Sequence, residues 1–148
     1  MDEVVAFAIE NSADLVLFCG DAYKSRNPNQ THQREFAKRI AKLASNGIPV
    51  FLLVGNHDVP QVISRASSLE IFRTLDVPKI YTGDTLRTYL VPTTEGPLQI
   101  VALPWIRRSG FLNREDTRGK TADEINEAIQ TSLTNAIRAQ AEALDPSI

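Results

Sequence analysis

At 148 residues, with 43% hydrophobic and 23% charged side chains, the chain has the length and composition of one globular domain, which excludes a disordered protein. A net charge of −2 excludes a bulk-basic nucleic-acid binder, so any contact with a polyanion must come from a local patch or from cations. The single cysteine, Cys19, excludes an internal disulfide and a cysteine-based zinc cluster.

Residues 2–11 begin acidic and place Val4, Val5, Ala8 and Ile9 on one face, which predicts an amphipathic helix rather than a signal peptide. No stretch reaches the roughly 20 apolar residues of a bilayer-crossing helix, so no membrane partner is expected and the cytoplasm is the expected location. Leu15–Cys19 is an unbroken apolar run that stops at Gly20-Asp21. It predicts a strand buried on both faces of a parallel sheet, with Cys19 an inert core residue. Residues 22–31 are polar and form a loop. Thr31 is expected to cap a helix that runs to about Asn46 and buries Phe36, Ile40 and Leu43. Ile48–Val54 is a second apolar run, ending at Gly55-Asn56-His57-Asp58. Strand, helix and strand in this order predict a right-handed βαβ unit.

A short helix is expected from about Ser64 to Leu75. Lys79–Thr82, Leu86–Val91 and Leu98–Ala102 predict short strands, either a small meander or a continuation of the sheet. Residues 107–120 form a charged loop. Thr121 and Glu124 have the spacing of a capping box, and Ile125, Ile129, Leu133 and Ile137 then recur every four residues along a helix to about Leu144.

The chemistry gathers at the two strand ends. Neighbouring parallel strands bring their C-terminal ends together, and open α/β sheets bind ligands there. Asn56 follows Asp21 by 35 positions, about one βαβ repeat, so the two side chains can converge. The glycines let the backbone turn as it leaves the sheet and keep bulk away. The Asp21 carboxylate can bridge two divalent cations about 3.5–4 Å apart. Asn56 offers a neutral oxygen ligand, and His57 can meet a phosphate oxygen or protonate a leaving alkoxide. Asp58 is read as orienting a neighbour or stabilising the turn, and His32 as a surface or capping residue at a helix start. Trp105 is read as packed rather than as a base-stacking platform. Lys24, Arg26, Arg107 and Arg108 are candidate DNA contacts, although a solvated surface fits each of them as well.

Gly20-Asp21 followed by Gly55-Asn56-His57-Asp58 resembles the second and third motifs of calcineurin-like metallophosphoesterases. The segments Pro28–Arg39, Pro49–Pro60, Ile80–Asp84 and Ala102–Ile106 resemble the SbcD-type DNA exonucleases of that superfamily. The resemblance implies an α/β calcineurin-like metallophosphoesterase fold, part of a β-sandwich flanked by helices, with residues 1–148 a partial nuclease domain truncated at both ends. It implies that Asp21 bridges two divalent cations (Mn²⁺ or Mg²⁺), that Asn56 binds one of them, and that His57 acts at the phosphate. It further implies hydrolysis of phosphodiesters in DNA, an SbcC-type coiled-coil ATPase partner and a possible homodimer. Lys24 stands where some relatives carry histidine.

The resemblance also implies ligands that the sequence lacks: an Asp-x-His ahead of the first helix, and later histidines including a Gly-His-x-His. Only His32 and His57 are present. The expectation is therefore an incomplete or inactive fragment. A generic phosphoesterase of small substrates and a non-catalytic fragment that binds the ATPase are the two rival readings.

Overall fold

The computed structural model describes residues 1–60, 66–107 and 119–148. Helix α1 (Asp2–Glu10) leads into strand β1 (Val16–Phe18), followed by α2 (Gln30–Ser45), β2 (Val50–Leu53), α3 (Glu70–Thr74) and β3 (Ile80–Gly83). Two longer strands, β4 (Arg87–Thr93) and β5 (Gly96–Ala102), precede the last helix, α4 (Ala122–Glu142).

The first three strands form a parallel sheet in the order β1-β2-β3, with Phe18 opposite Leu52 and Leu52 opposite Thr82. β4 and β5 form an antiparallel hairpin with Arg87 opposite Ala102. Successive side chains of a strand point to opposite faces, and the two cores follow from that. Val50 and Leu52 pack with Val5, Ile40, Leu43 and Phe72 on the helical side. Phe51, between them in sequence, packs on the other side with Tyr89, Val91 and Ala102 of the hairpin. The Phe51 and Tyr89 rings meet edge to face, their centroids 5.1 Å apart. Sheet, covering helices and facing hairpin together make the α/β fold expected from the resemblance.

Several boundaries differ from expectation for identifiable reasons. Asn29, not Thr31, caps α2: its side chain accepts from the His32 N–H at 2.9 Å, and Thr31 already lies inside the helix. Ile80–Gly83 joins the parallel sheet, and only the next two segments form the hairpin. α3 is confined to Glu70–Thr74, and its expected start at Ser64 lies outside the described residues. β1 is not buried on both faces. Among the described strands it pairs only with β2, leaving Leu17 53% exposed and Cys19 exposed rather than in the core.

The capping box of α4 is present in both directions, Thr121 accepting from the Glu124 N–H and Glu124 from the Thr121 N–H. The helix buries none of its side chains fully; Gln140 ties it to the hairpin by accepting from the Thr88 N–H at 2.8 Å. Among the described residues no helix is long and apolar enough to cross a membrane. Phe51 is the ring that couples the sheet to the hairpin, so Phe51→Ala is expected to lower stability by about 3–5 kcal/mol in urea unfolding. A loss under about 1 kcal/mol would show that the hairpin is held by other contacts.

Candidate metal centre

The C-terminal ends of β1 and β2 lie side by side, and the chain leaves each of them through glycine. Gly20 adopts φ +99°, and a side chain on it would press on Gly55 Cα at 3.0 Å. The constraint at Gly55 is tighter: a Cβ there would lie 2.3 Å from the Asp21 amide nitrogen and 2.4 Å from Asp21 Oδ1. With both side chains absent, Asp21 folds back over the end of β2. It does so at φ 54°, a left-handed conformation that aspartate tolerates better than most residues.

That fold-back sets the carboxylate. Asp21 Oδ1 accepts a hydrogen bond from the His57 N–H at 2.8 Å. The Asn56 amide lies against the same group. With its nitrogen turned inward it donates to Oδ1 at 3.1 Å and to Oδ2 at 2.9 Å. With its oxygen turned inward, it faces only the two carboxylate oxygens, and such an arrangement is comfortable only with a cation between them. The donor set is all oxygen, the preference of Mg²⁺ and Mn²⁺. The pair therefore fits a divalent cation. Among the described residues no group of three histidine, cysteine, aspartate or glutamate side chains comes together, so Asp21 and Asn56 would supply only part of a coordination shell.

Asp58 does not join them. It is fully buried and closes the turn: its Oδ2 accepts from the Gly55 N–H at 2.9 Å, and its own N–H donates to Gly55 O at 3.3 Å. Its carbonyl receives the Ser68 N–H at 3.1 Å, tying the turn to the segment ahead of α3. Burial raises the Asp58 pKa, the Gly55 N–H acts against that, and the nearby Asp21 charge adds to it. The neighbouring Tyr23 hydroxyl is pushed up to about 12, first by burial and then by the Asp58 charge.

Asp21 and Asn56 line a cleft of about 420 Å³ whose other walls are Leu103, Pro104, Trp105, Ile106 and Leu133. The last of these comes from α4, some 75 positions beyond the turn. Of the sequence candidates, Asp21 and Asn56 meet as expected. His57 reaches Asp21 through its backbone, and its imidazole is not among the cleft walls. Lys24 lines a different cavity of about 660 Å³ with Tyr23, His32 and Arg39, and Arg26 lines neither. Arg107 follows the cleft residue Ile106 in sequence, and Arg108 lies outside the described residues. Trp105 is 56% exposed, not packed as the sequence suggested.

Because Asp58 is the acceptor for a part-buried N–H, Asp58→Ala is expected to lower stability by about 1–3 kcal/mol. Asp58→Asn keeps an acceptor and removes the charge. The raised pKa favours the folded state in acid and loses that contribution as pH rises through it, so the Asn variant should flatten this part of the pH–stability profile. Equal melting profiles for the Ala and Asn variants between pH 4 and 8 would refute the capping role.

Comparison with known proteins gives the family. The family model of the calcineurin-like phosphoesterases matches residues 1–136. The chain is 37% identical over 59 residues to the DNA double-strand break repair protein Mre11 of Thermoplasma acidophilum, covering 40% of this chain and 16% of that protein. It is 30% identical over 70 residues to the SbcD component of the nuclease SbcCD of Bacillus subtilis, covering 47% of this chain and 18% of that one. The matched parts are thus under one fifth of these relatives' own lengths. With the family model spanning most of the chain and an oxygen pair at adjacent parallel strand ends, this protein belongs to the calcineurin-like phosphoesterases and is similar, within them, to Mre11- and SbcD-type nucleases.

Proposed function

We propose that this chain is part of a metal-dependent DNA nuclease of the SbcD type, hydrolysing phosphodiesters during the repair of double-strand breaks. One observation carries the reading: the Asp21 carboxylate and the Asn56 amide meet at the ends of β1 and β2, in a cleft open to a ligand. Calcineurin-like phosphoesterases bind divalent metals and are hydrolases as a family. The names of the two relatives support the narrower substrate, DNA.

When bound, divalent cations supply positive charge to the scissile phosphate and acidify water for in-line attack. The chain's own residues prepare for that. Asp21 Oδ1 is held by the His57 N–H, which orients the carboxylate and leaves Oδ2 toward Asn56. Asn56 contributes oxygen without a second negative charge, which limits repulsion of the substrate phosphate. The His57 imidazole, on the residue whose amide is anchored to Asp21, is assigned to the phosphate and the leaving oxygen, where it donates a proton. An SbcC-type ATPase is the expected partner, and Mn²⁺ the expected ion. With only two such ligands among the described residues, hydrolysis at enzymatic rate requires further ligands to complete the shell.

Two measurements test the reading. Mn²⁺ binding followed by electron paramagnetic resonance should weaken by about tenfold or more in Asp21→Ala, in line with ligand and near-ligand substitutions elsewhere. Gly55→Ala should weaken it too, because the added Cβ would displace Asp21. Unchanged Mn²⁺ binding in a folded Asp21→Ala variant would end the metal assignment. In a protein that also supplies the further ligands, Mn²⁺-dependent shortening of linear duplex DNA, absent in Asp21→Asn, is the expected activity. Cleavage of bis-p-nitrophenyl phosphate with no cut in DNA would replace the nuclease reading with a small-substrate phosphoesterase.

A further inference from the structure

We propose that Trp105 is a stacking platform for a nucleobase next to the scissile phosphate, so that the cleft reads a nucleoside and not a phosphodiester alone. This rests on the nuclease reading and extends it to the part of the substrate beside the reacting bond. Three observations converge on it. First, Trp105 lines the same cleft as Asp21 and Asn56, whose volume of about 420 Å³ falls within the range of small-ligand pockets, about 300–1,000 Å³. Second, Trp105 is 56% exposed, although aromatic residues of this size bury large areas when a protein core accepts them. Third, its backbone is fixed. The Trp105 N–H donates to Val54 O at 2.8 Å, on the residue just ahead of Gly55-Asn56, and the preceding Pro104 is buried. An exposed ring on a pinned backbone loses little freedom when a ligand stacks on it.

The distribution of chemistry along the cleft gives the ligand class. Its lining combines the oxygens of Asp21 and Asn56, which suit cations that take a phosphate, with the apolar Leu103, Ile106 and Leu133 beside Trp105. Among the described residues that line it there is no lysine or arginine. A flat, weakly polar group joined to a phosphodiester suits such a lining, and a base joined to its nucleotide phosphate is such a group. Stacking on an aromatic face needs no particular hydrogen-bond pattern, so the platform would accept any base. It does require the base to be unpaired, which favours single strands and frayed ends.

Trp105 is the one tryptophan of the chain, so its fluorescence reports on this position directly. The test compares hexathymidylate with an abasic hexamer of the same backbone, with Ca²⁺ present to suppress cleavage. Affinity is read from the anisotropy of an end label and stacking from indole quenching. Hexathymidylate is expected to quench the indole and to bind about five- to a hundredfold more tightly than the abasic strand, the range known for stacking of one base on an aromatic residue. Trp105→Phe should keep most of that preference. Trp105→Leu, apolar and without a π face, should lose it, with circular dichroism establishing that both variants fold. Equal affinity for the two strands overturns the platform and leaves the nuclease reading standing. A Leu variant that retains the preference also overturns it. Failure of the chain to bind either strand overturns the nuclease reading, and the platform with it.

Discussion

The site depends on a single close approach, in which the backbone of Asp21 crosses the end of the neighbouring strand at Gly55. There is no space between them for a methyl group, since a Cβ on Gly55 would fall 2.3 Å from the Asp21 amide nitrogen. The approach brings Oδ1 within 2.8 Å of the His57 N–H and lays the carboxylate against the Asn56 amide. It also holds a non-glycine residue at φ 54°, the kind of local strain that surrounding structure must over-determine if it is to persist. The fixed partners here are the parallel ladder between β1 and β2 and the turn that follows β2.

That turn has its own internal logic. Three consecutive polar residues serve three different purposes because they meet different partners. Asn56 faces the cleft. His57 contributes its amide to Asp21. Asp58 turns inward, where it is fully buried and satisfies the Gly55 N–H. A buried carboxylate is costly without partners, and the same low-dielectric surroundings that raise its pKa also strengthen the hydrogen bond it accepts. The Asp21 charge nearby adds repulsion, so a cation shared by Asp21 and Asn56 would also relieve Asp58. Electrostatically, the turn and the Asp21–Asn56 pair are one unit.

The cleft is assembled from distant parts of the chain. Its floor comes from the ends of β1 and β2, one wall from residues 103–106 after β5, and a further contact from Leu133 of α4. The Trp105 N–H to Val54 O bond joins floor to wall. α4 lies across this assembly with a half-buried stripe and no fully buried side chain, so it shapes the cleft more than it supports the core.

Much of this was legible in the residues. Apolar runs ending in Gly-Asp and Gly-Asn-His-Asp identified both strands and the candidate residues at their ends, because a buried parallel strand tolerates few polar residues and glycine eases its exit. The Thr121–Glu124 capping box fixed the start of α4 through local hydrogen bonds alone. What depends on neighbours in space was not legible. The exposure of Leu17 and Cys19 follows from β1 having one described partner strand, and no pattern within five residues encodes that. Trp105 looks like a core residue by composition, yet lies open in the cleft because the backbone bond to Val54 holds it beside Asn56. The sequence thus determined which elements form and where on them the candidate residues sit, since those are local matters of period, capping and turn formation. Only the tertiary structure decided which of them face a common space, because that depends on strand order and on the packing of segments far apart in the chain.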